Sequence, residues 1–293
     1  MYWLFRRFDV VHVHTERANF GYGLSARAAG ARVVRTIHNA FDYVGPLRLL
    51  RSLQRRMLAA LGVTHVSIGA TVKDVERRVL FNATELVPNW FDVQRFRPAG
   101  EAERLAARAG LGIDPAATVL TLVGNCSDIK NHKALFHALA SLPSHRGVGP
   151  LLLHVGSGAQ EVEEKQLVAR LGLETRVRFL GALPSPLTAL HAADAFVMCS
   201  LKEGFSIAAL EAMGCGLPQL LTDVAGLCDI RAITPAVVWA PAPSAVALHD
   251  AVASLLDRLP ELSRSAGQLS DRVLLDYGPG SGVQRYARLY RAC

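Results

Sequence analysis

At 293 residues, 51% of them apolar and with a net charge of +7, the chain exceeds what one ordinary core holds and reads as two domains. No run of about eighteen apolar residues occurs, which excludes an ordinary membrane-spanning helix, and the opening Met1-Tyr-Trp-Leu-Phe-Arg-Arg lacks the order of a secretory signal. Five cysteines (Cys126, Cys199, Cys215, Cys228, Cys293), odd in number and without Cys-x-x-Cys spacing, indicate reduced thiols in the cytoplasm, and neither a disulfide framework nor a zinc site.

The positive charge is concentrated early. Residues 1–110 carry 17 Lys plus Arg against 9 Asp plus Glu, a net of +8, whereas the remainder carries 15 against 16, a net of −1. Asp9 to His14 reads as a strand in which His12 and His14 share one face; one of them belongs to the core, and His14, nearer the loop, is an acceptor-side candidate. A small-residue helix around Gly23 to Ala29 and a strand from Arg32 to Ile37 follow, with His38 closing that strand. Pro46 to Met57 sets Arg48, Arg51, Arg55 and Arg56 among Leu47, Leu49, Leu50, Leu53 and Met57 at helical spacing, a basic amphipathic helix. It is either an ordinary solvated face or a surface for an anionic membrane at the inner face, where a lipid-linked acceptor would lie; no motif supports nucleic-acid binding. Strands at Thr64 to Ile68 and Glu85 to Val87, with a helix around Val72 to Leu80 between them, complete a doubly wound order whose strand ends lie near His14, His38 and Ser67.

Val87-Pro-Asn-Trp-Phe-Asp and a linker around Pro98 to Gly112 lead to a second set of strands at 118, 151, 177, 195, 219 and 237. Thr118 to Val123 ends in Gly124-Asn125 and runs through Lys130 to a helix. Leu151 to Val155 precedes the glycine turn Gly156-Ser-Gly158, and Arg176 to Gly181 precedes Leu183. Leu187 to Ala193, Ala245 to Leu259 and Ser281 to Arg291 read as helices, the last with Tyr286, Leu289 and Tyr290 on one side. Domain bounds of 1–97 and 98–275 follow, with 276–293 as a final helix crossing back to the first domain.

The most informative stretch is Ala195 to Asp223, read as strand, loop, helix, turn and strand. Ser206 is a natural N-cap before an apolar helix interrupted by Glu211, and Gly214, Gly216 and Pro218 end it. Glu203 lies before the helix and Glu211 near its end, so the two suit different ends of one elongated ligand. Between them the backbone of Gly204, Phe205 and Ser206 opens a helix, where N–H groups favour an anion and glycine admits a phosphate to the main chain. A diphosphate flanked by hydroxyl-binding carboxylates describes a nucleotide-sugar.

Glu203-Gly-Phe, the helix ending Leu-Glu-Ala-Met-Gly-Cys-Gly-Leu-Pro, and the following Thr-Asp and Gly resemble the Glu-x7-Glu signature of family 4 retaining glycosyltransferases of GT-B fold, an α/β class with two Rossmann-like doubly wound domains. The resemblance implies Glu203 beside the donor sugar, Glu211 on the ribose hydroxyls, and the Gly204, Phe205 and Ser206 backbone on sugar and phosphate. It implies His38 near the reacting centre and Asn89 reaching the cleft, although Trp90 stands where glycine is common. Lys130 matches one of two phosphate-binding basic residues, while Asn125 occupies the place of the other. Gly156 and Gly158 would underlie the nucleotide, and Leu183 would pack on its base. Catalytic roles therefore fall to His38, Lys130 and Glu203, donor binding to Asn125, Gly156, Gly158, Leu183, Gly204, Phe205, Ser206 and Glu211, and the acceptor side to His14 and Asn89.

The implied activity moves a sugar from a UDP- or GDP-linked donor, with retained configuration, to a glycan or lipid-linked acceptor in cell-surface polysaccharide or glycolipid synthesis. No Asp-x-Asp pair occurs in the site stretch, Lys130 and helix-end amides can replace a metal, and no cofactor or metal is expected. The first domain lacks the opening strand and glycine-rich turn usual in this fold, so it reads as incomplete, with an exposed edge at Asp9 to His14. A donor-binding but catalytically silent subunit, or a nucleotide-sugar epimerase of the same fold, is the alternative.

Overall fold

A computed structural model describes residues 1–142 and 149–292, so Cys293 lies outside the described residues. The chain begins with α1 (Tyr2–Phe5), β1 (Val10–Val13), α2 (Asn19–Ala28), β2 (Arg32–Ile37), α3 (Gly45–Ala60), β3 (Val63–Ser67), α4 (Ala70–Val79) and β4 (Glu85–Leu86). It continues through α5 (Glu101–Gly110), β5 (Val119–Val123), α6 (His132–Ser141), β6 (Leu151–Val155), α7 (Glu161–Arg170), β7 (Val177–Gly181), α8 (Leu187–Ala192) and β8 (Ala195–Met198). Last come α9 (Ile207–Gly214), β9 (Gln219–Thr222), β10 (Val237–Ala240), α10 (Ala245–Asp257), α11 (Leu259–Asp276) and α12 (Pro279–Ala292). No helix of the described residues is long and apolar enough to cross a membrane.

Two units emerge. The first comprises Met1–Trp90, the short loop Glu203–Ser206 and the segment from Pro279 on; the second comprises Phe91–Lys202 and Ile207–Gly278. The first unit holds a parallel sheet in the order β1-β2-β3-β4, with β1 at an edge. Val34 and Val66 on this sheet pack with Val87 and Tyr286, placing α12 against it. The second unit holds a six-stranded parallel sheet in the order β10-β9-β8-β5-β6-β7. Its inner strands β9, β8, β5 and β6 are short, largely apolar runs buried on both faces, as parallel sheets covered by helices require. One apolar cluster runs from Leu120 and Leu122 through Phe136, Leu152 and Val197 to Leu255.

Two segments depart from the sequence reading. The stretch expected to be a linker, Pro98 to Gly112, contains the helix α5. Its Ala, Glu, Leu and Arg content favours helix, and Glu103 accepts from the Gly100 amide at 2.9 Å, closing the first turn. Arg108 is buried and donates to Asp194 and to the carbonyls of Ala192, Pro115 and Ala117, so this helix is docked. The other is α11, whose polar, Ser-rich and Gly-containing sequence masks the buried stripe Leu262, Ala266, Ser270 and Val273.

Candidate functional site

In the second unit the strand order reverses between β5 and β8, since β5 pairs with β6 on one side and β8 on the other. Open parallel sheets bind ligands outside the carboxyl ends of their strands at such a reversal. The two loops leaving this point are the one carrying Asn125 and Lys130 after β5 and the one running from Cys199 toward Glu203 after β8. They are stitched together: the Leu201 amide donates to the Ile129 carbonyl at 2.8 Å, and the Asn131 side chain donates to the Cys199 carbonyl at 3.1 Å. Asn131 also reaches the Pro243 carbonyl at 2.8 Å and adopts φ of 57°, a left-handed conformation that asparagine tolerates better than most residues. Its only signal in the sequence is the Lys-Asn pair that opens a helix.

Gly156 and Gly158 lie directly under the first of these loops. A Cβ on Gly156 would fall 1.9 Å from the Gly124 carbonyl oxygen, and φ there is 144°, so only glycine fits. A Cβ on Gly158 would fall 2.5 Å from the Cys126 oxygen. The Gly124 amide donates to Val155 and the Cys126 amide to Ser157. The glycine turn is thus packed against the loop that carries Asn125, which is exposed, and Lys130, whose aliphatic stem rests near Gly124. Leu183 is 41% exposed, available to cover a flat ring.

Glu211 sits on α9, half-buried, and burial pushes its pKa up to about 7, against a pull from Arg95. Burial, followed by the neighbouring Glu211, likewise pushes the Cys215 thiol up to about 12. Such a half-desolvated carboxyl suits hydrogen bonds to hydroxyl groups.

The first unit gathers a separate set of polar groups. His14 Nδ1 and His38 Nε2 share a hydrogen bond at 2.9 Å, and Asn89 donates to the Phe205 carbonyl at 2.7 Å. A Cβ on Gly204 would fall 2.1 Å from the His38 carbonyl oxygen, so glycine is required where the Glu203–Ser206 loop meets the end of β2. His38, His14, Asn89, Gly204 and Phe205 therefore share one neighbourhood. Burial lowers the pKa of His38 and His14, in His38 with help from the His14 charge, which favours the neutral imidazoles.

Next to this pair is a cavity of about 520 Å³ lined by His12, Thr36, Trp90 and Tyr286 among others. His12 bonds Tyr290 at 2.8 Å and Thr36 at 2.7 Å, and Thr36 bonds Tyr286 at 2.7 Å, which anchors α12 through a polar chain. Neither His12 nor His14 is core: His12 is half-buried in this cavity wall and His14 is exposed, their rings 3.9 Å apart. Burial lowers the His12 pKa to about 4 with help from both neighbouring histidines. Trp90, which stands where the resemblance implies glycine, packs on α12, where a Cβ on Gly282 would meet its ring at 2.1 Å. The tyrosines read as part of an apolar helix side are thus cavity-lining hydroxyls.

The basic helix is turned partly inside out. Leu49 is 72% exposed, and Leu47, Leu50, Leu53 and Met57 also face solvent, while Ser52, Arg55 and Leu58 face inward. Arg55 is buried, donates to Glu76 at 2.7 Å and pairs with Glu16 at 3.1 Å. Of the four arginines expected on the outer face, Arg55 is therefore unavailable there. Glu16 also bonds Arg35 and accepts from Tyr43 at 2.8 Å. Burial opposes its ionisation, but Arg35, Arg55 and Tyr43 overcome this and hold it below the usual carboxylate range.

Comparison with known proteins places this architecture. The fold matches that of Anabaena HepE, crystallised with UDP, at a TM-score of 0.84 and 18% identity over 100% of this chain and 81% of that one. In sequence the chain is 28% identical to 2-deoxystreptamine glucosyltransferase of Streptomyces kanamyceticus, over 96% of its own length and 78% of the relative's. It is 34% identical to D-inositol 3-phosphate glycosyltransferase of Rhodococcus jostii (strain RHA1) over 50% of its length, a match spanning only 33% of that relative. Residues 1–95 match the Glycosyltransferase Family 4 model. Residues 103–268 match the model for Glycosyl transferases group 1, and the chain belongs to that family.

Proposed function

We propose that this chain is a retaining glycosyltransferase that moves a sugar from a nucleotide-sugar to an acceptor hydroxyl. The observation that carries the reading is the strand-order reversal between β5 and β8, with Lys130 on one emerging loop and Glu203 to Glu211 on the continuation of the other. Glu211 accepts from the ribose hydroxyls. Lys130, with the Gly204 to Ser206 backbone and Asn125, offsets the negative charge that builds on the departing diphosphate. Gly156 and Gly158 let the nucleotide approach the main chain, and Leu183 covers its base. Glu203 and His38 hold the sugar, while His14 and Asn89 serve the acceptor side. The incoming hydroxyl loses its proton to an oxygen of the leaving phosphate, so the protein supplies no general base and the sugar keeps its configuration.

HepE has been crystallised with UDP and with UDP-glucose, which favours a uridine-linked donor here, with GDP-sugars as the other candidates. Transfer needs no divalent ion at the diphosphate, because a cation and helix-end amides take that role. The exposed apolar and arginine face of α3 supports an acceptor held at an anionic membrane surface, a glycolipid or a lipid-linked glycan. The test is a thermal-shift panel of UDP- and GDP-sugars followed by product analysis with the stabilising donor. One donor is expected to raise Tm, to give a product of the donor's anomeric configuration, and to need no added Mg²⁺ or Mn²⁺. No stabilisation by any nucleotide-sugar, or a product of inverted configuration, overturns the reading.

A further inference from the structure

Four side chains of the second unit converge below the loop that carries Lys130: Cys126 from that loop, His132 from the start of α6, His154 from β6 and Glu164 from α7. All are buried, at 0%, 2%, 0% and 1% exposure respectively. Each offers one possible ligand atom, and these atoms all lie within 4.8 Å of one another. His132 Nδ1 is 3.0 Å from Glu164 Oε1 and 3.1 Å from His154 Nε2; His154 Nε2 is 3.8 Å from both Cys126 Sγ and Glu164 Oε2.

Hydrogen bonding alone accounts for this cluster poorly. His132 Nδ1 has either one hydrogen or one lone pair, yet it faces both Glu164 Oε1 and His154 Nε2 at bonding distance. Glu164 Oε2 is buried with no nitrogen or oxygen donor within reach, the Cys126 thiol being the weak donor beside that carboxylate. A buried carboxylate oxygen so weakly satisfied is costly. A cation removes the conflict, because each facing atom then offers it a lone pair. The spacing fits as well: with bonds of about 2.0–2.1 Å to nitrogen and about 2.3 Å to sulfur, tetrahedral ligands lie roughly 3.3–3.6 Å apart. The charge also closes. A divalent ion with one thiolate, one carboxylate and two neutral imidazoles is net neutral, which is what a site removed from water demands.

We propose that Cys126, His132, His154 and Glu164 form a closed structural site for one tetrahedral divalent ion of the zinc class. Mixed nitrogen, sulfur and oxygen donors favour Zn²⁺ over the oxygen-preferring Mg²⁺ and Ca²⁺. All four positions come from protein, so the ion offers no open coordination site to a substrate, unlike catalytic zinc. It fastens the loop after β5 to β6 and α7. It thereby fixes the segment that holds Asn125 and Lys130 over the Gly156 turn, and it acts through those residues without touching the sugar. The ligands come from four separate elements, so no two have the spacing of a zinc motif.

The test uses the full chain, purified without chelator from zinc-supplemented medium. About one equivalent of zinc per chain is expected by mass spectrometry of the metal. Exchange to Co²⁺ should give tetrahedral visible bands and a thiolate-to-cobalt charge-transfer band, the latter lost in Cys126→Ser. Glu164→Gln should lose the metal while keeping its far-ultraviolet circular dichroism. Wild-type chain that is folded, carries almost no zinc and takes up neither Zn²⁺ nor Co²⁺ overturns the proposal. So does a charge-transfer band that survives Cys126→Ser, or zinc retained by Glu164→Gln. If both variants fail to fold, the metal content and cobalt spectrum of the wild type still decide.

Discussion

The two sheets of this protein are stabilised by different means. The six-stranded sheet rests on a continuous apolar cluster in which Leu120, Leu135, Phe136 and Leu152 are fully buried. The four-stranded sheet divides its apolar residues into two smaller clusters and buries Arg35, Arg55, His65 and Glu76 beside them. Its integrity therefore depends on ion pairs whose desolvation must be matched partner for partner, whereas the larger sheet depends mainly on volume and shape, with Arg108 and the His132, His154 and Glu164 cluster among its buried polar exceptions. The smaller sheet ends its strands in histidines and polar chains that line a cavity, whereas the larger one carries the loops after β5 and β8.

The largest effect should come from unbalancing the smaller sheet. Glu76→Gln leaves the Arg55 charge without its nearest partner and should cost about 3–5 kcal/mol, read from the denaturation midpoint. Leu135→Ala on α6, in the apolar cluster of the other unit, should cost about 2–5 kcal/mol through its cavity. If Glu76→Gln proves nearly neutral, the contrast between ionic and apolar cores is wrong. Lys130→Ala tests the loops of the larger sheet. Turnover should fall roughly 10²–10³-fold, as for loss of one oxyanion donor, with nucleotide affinity less affected. Unchanged turnover with a proven donor would remove its role.

Glu211→Gln should weaken UDP or GDP binding by about 1.5–3 kcal/mol, the range for hydrogen bonds to a charged group. Because burial raises the Glu211 pKa to about 7, the wild-type carboxylate is present above that pH and neutralised below it. Nucleotide affinity should therefore decline as pH falls through about 7, and calorimetry on Glu211→Gln should show that slope flattened. The sign for folding is opposite: this group's contribution is fully present at low pH and is lost as pH rises through its folded value. The smallest change in stability is expected for Leu49→Ser with Leu53→Ser on the outer face of α3, within roughly 0.5 kcal/mol each. Co-sedimentation with anionic vesicles should drop, and an unchanged value would sink the membrane reading of that helix.

Much of the fold was legible because parallel strands buried on both faces are short apolar runs between glycine turns, as at Leu120 and Leu152. The polar content of α11 hid it, since a narrow buried stripe is easily lost among Ser, Arg and Gly. Glu203, Gly204 and Glu211 stand out in the sequence because they are close in the chain around one helix start, and of these the structure explains Gly204, where a Cβ would meet the His38 carbonyl. The tyrosines of α12 were seen only as one side of a helix; their hydroxyl partners, His12 and Thr36, lie more than two hundred residues away.

Local order and spacing thus determined most of the strands and helices, though not α5 or α11, together with the α/β class and the residue types at the β8-to-α9 turn. The tertiary structure alone decided that Arg55 points inward, that Asn131 ties two loops, and that Cys126, His132, His154 and Glu164 meet. The physical reason is that periodicity reports only which face of an element is apolar. Which buried charges and lone pairs confront one another depends on how distant elements pack, and no local pattern encodes that.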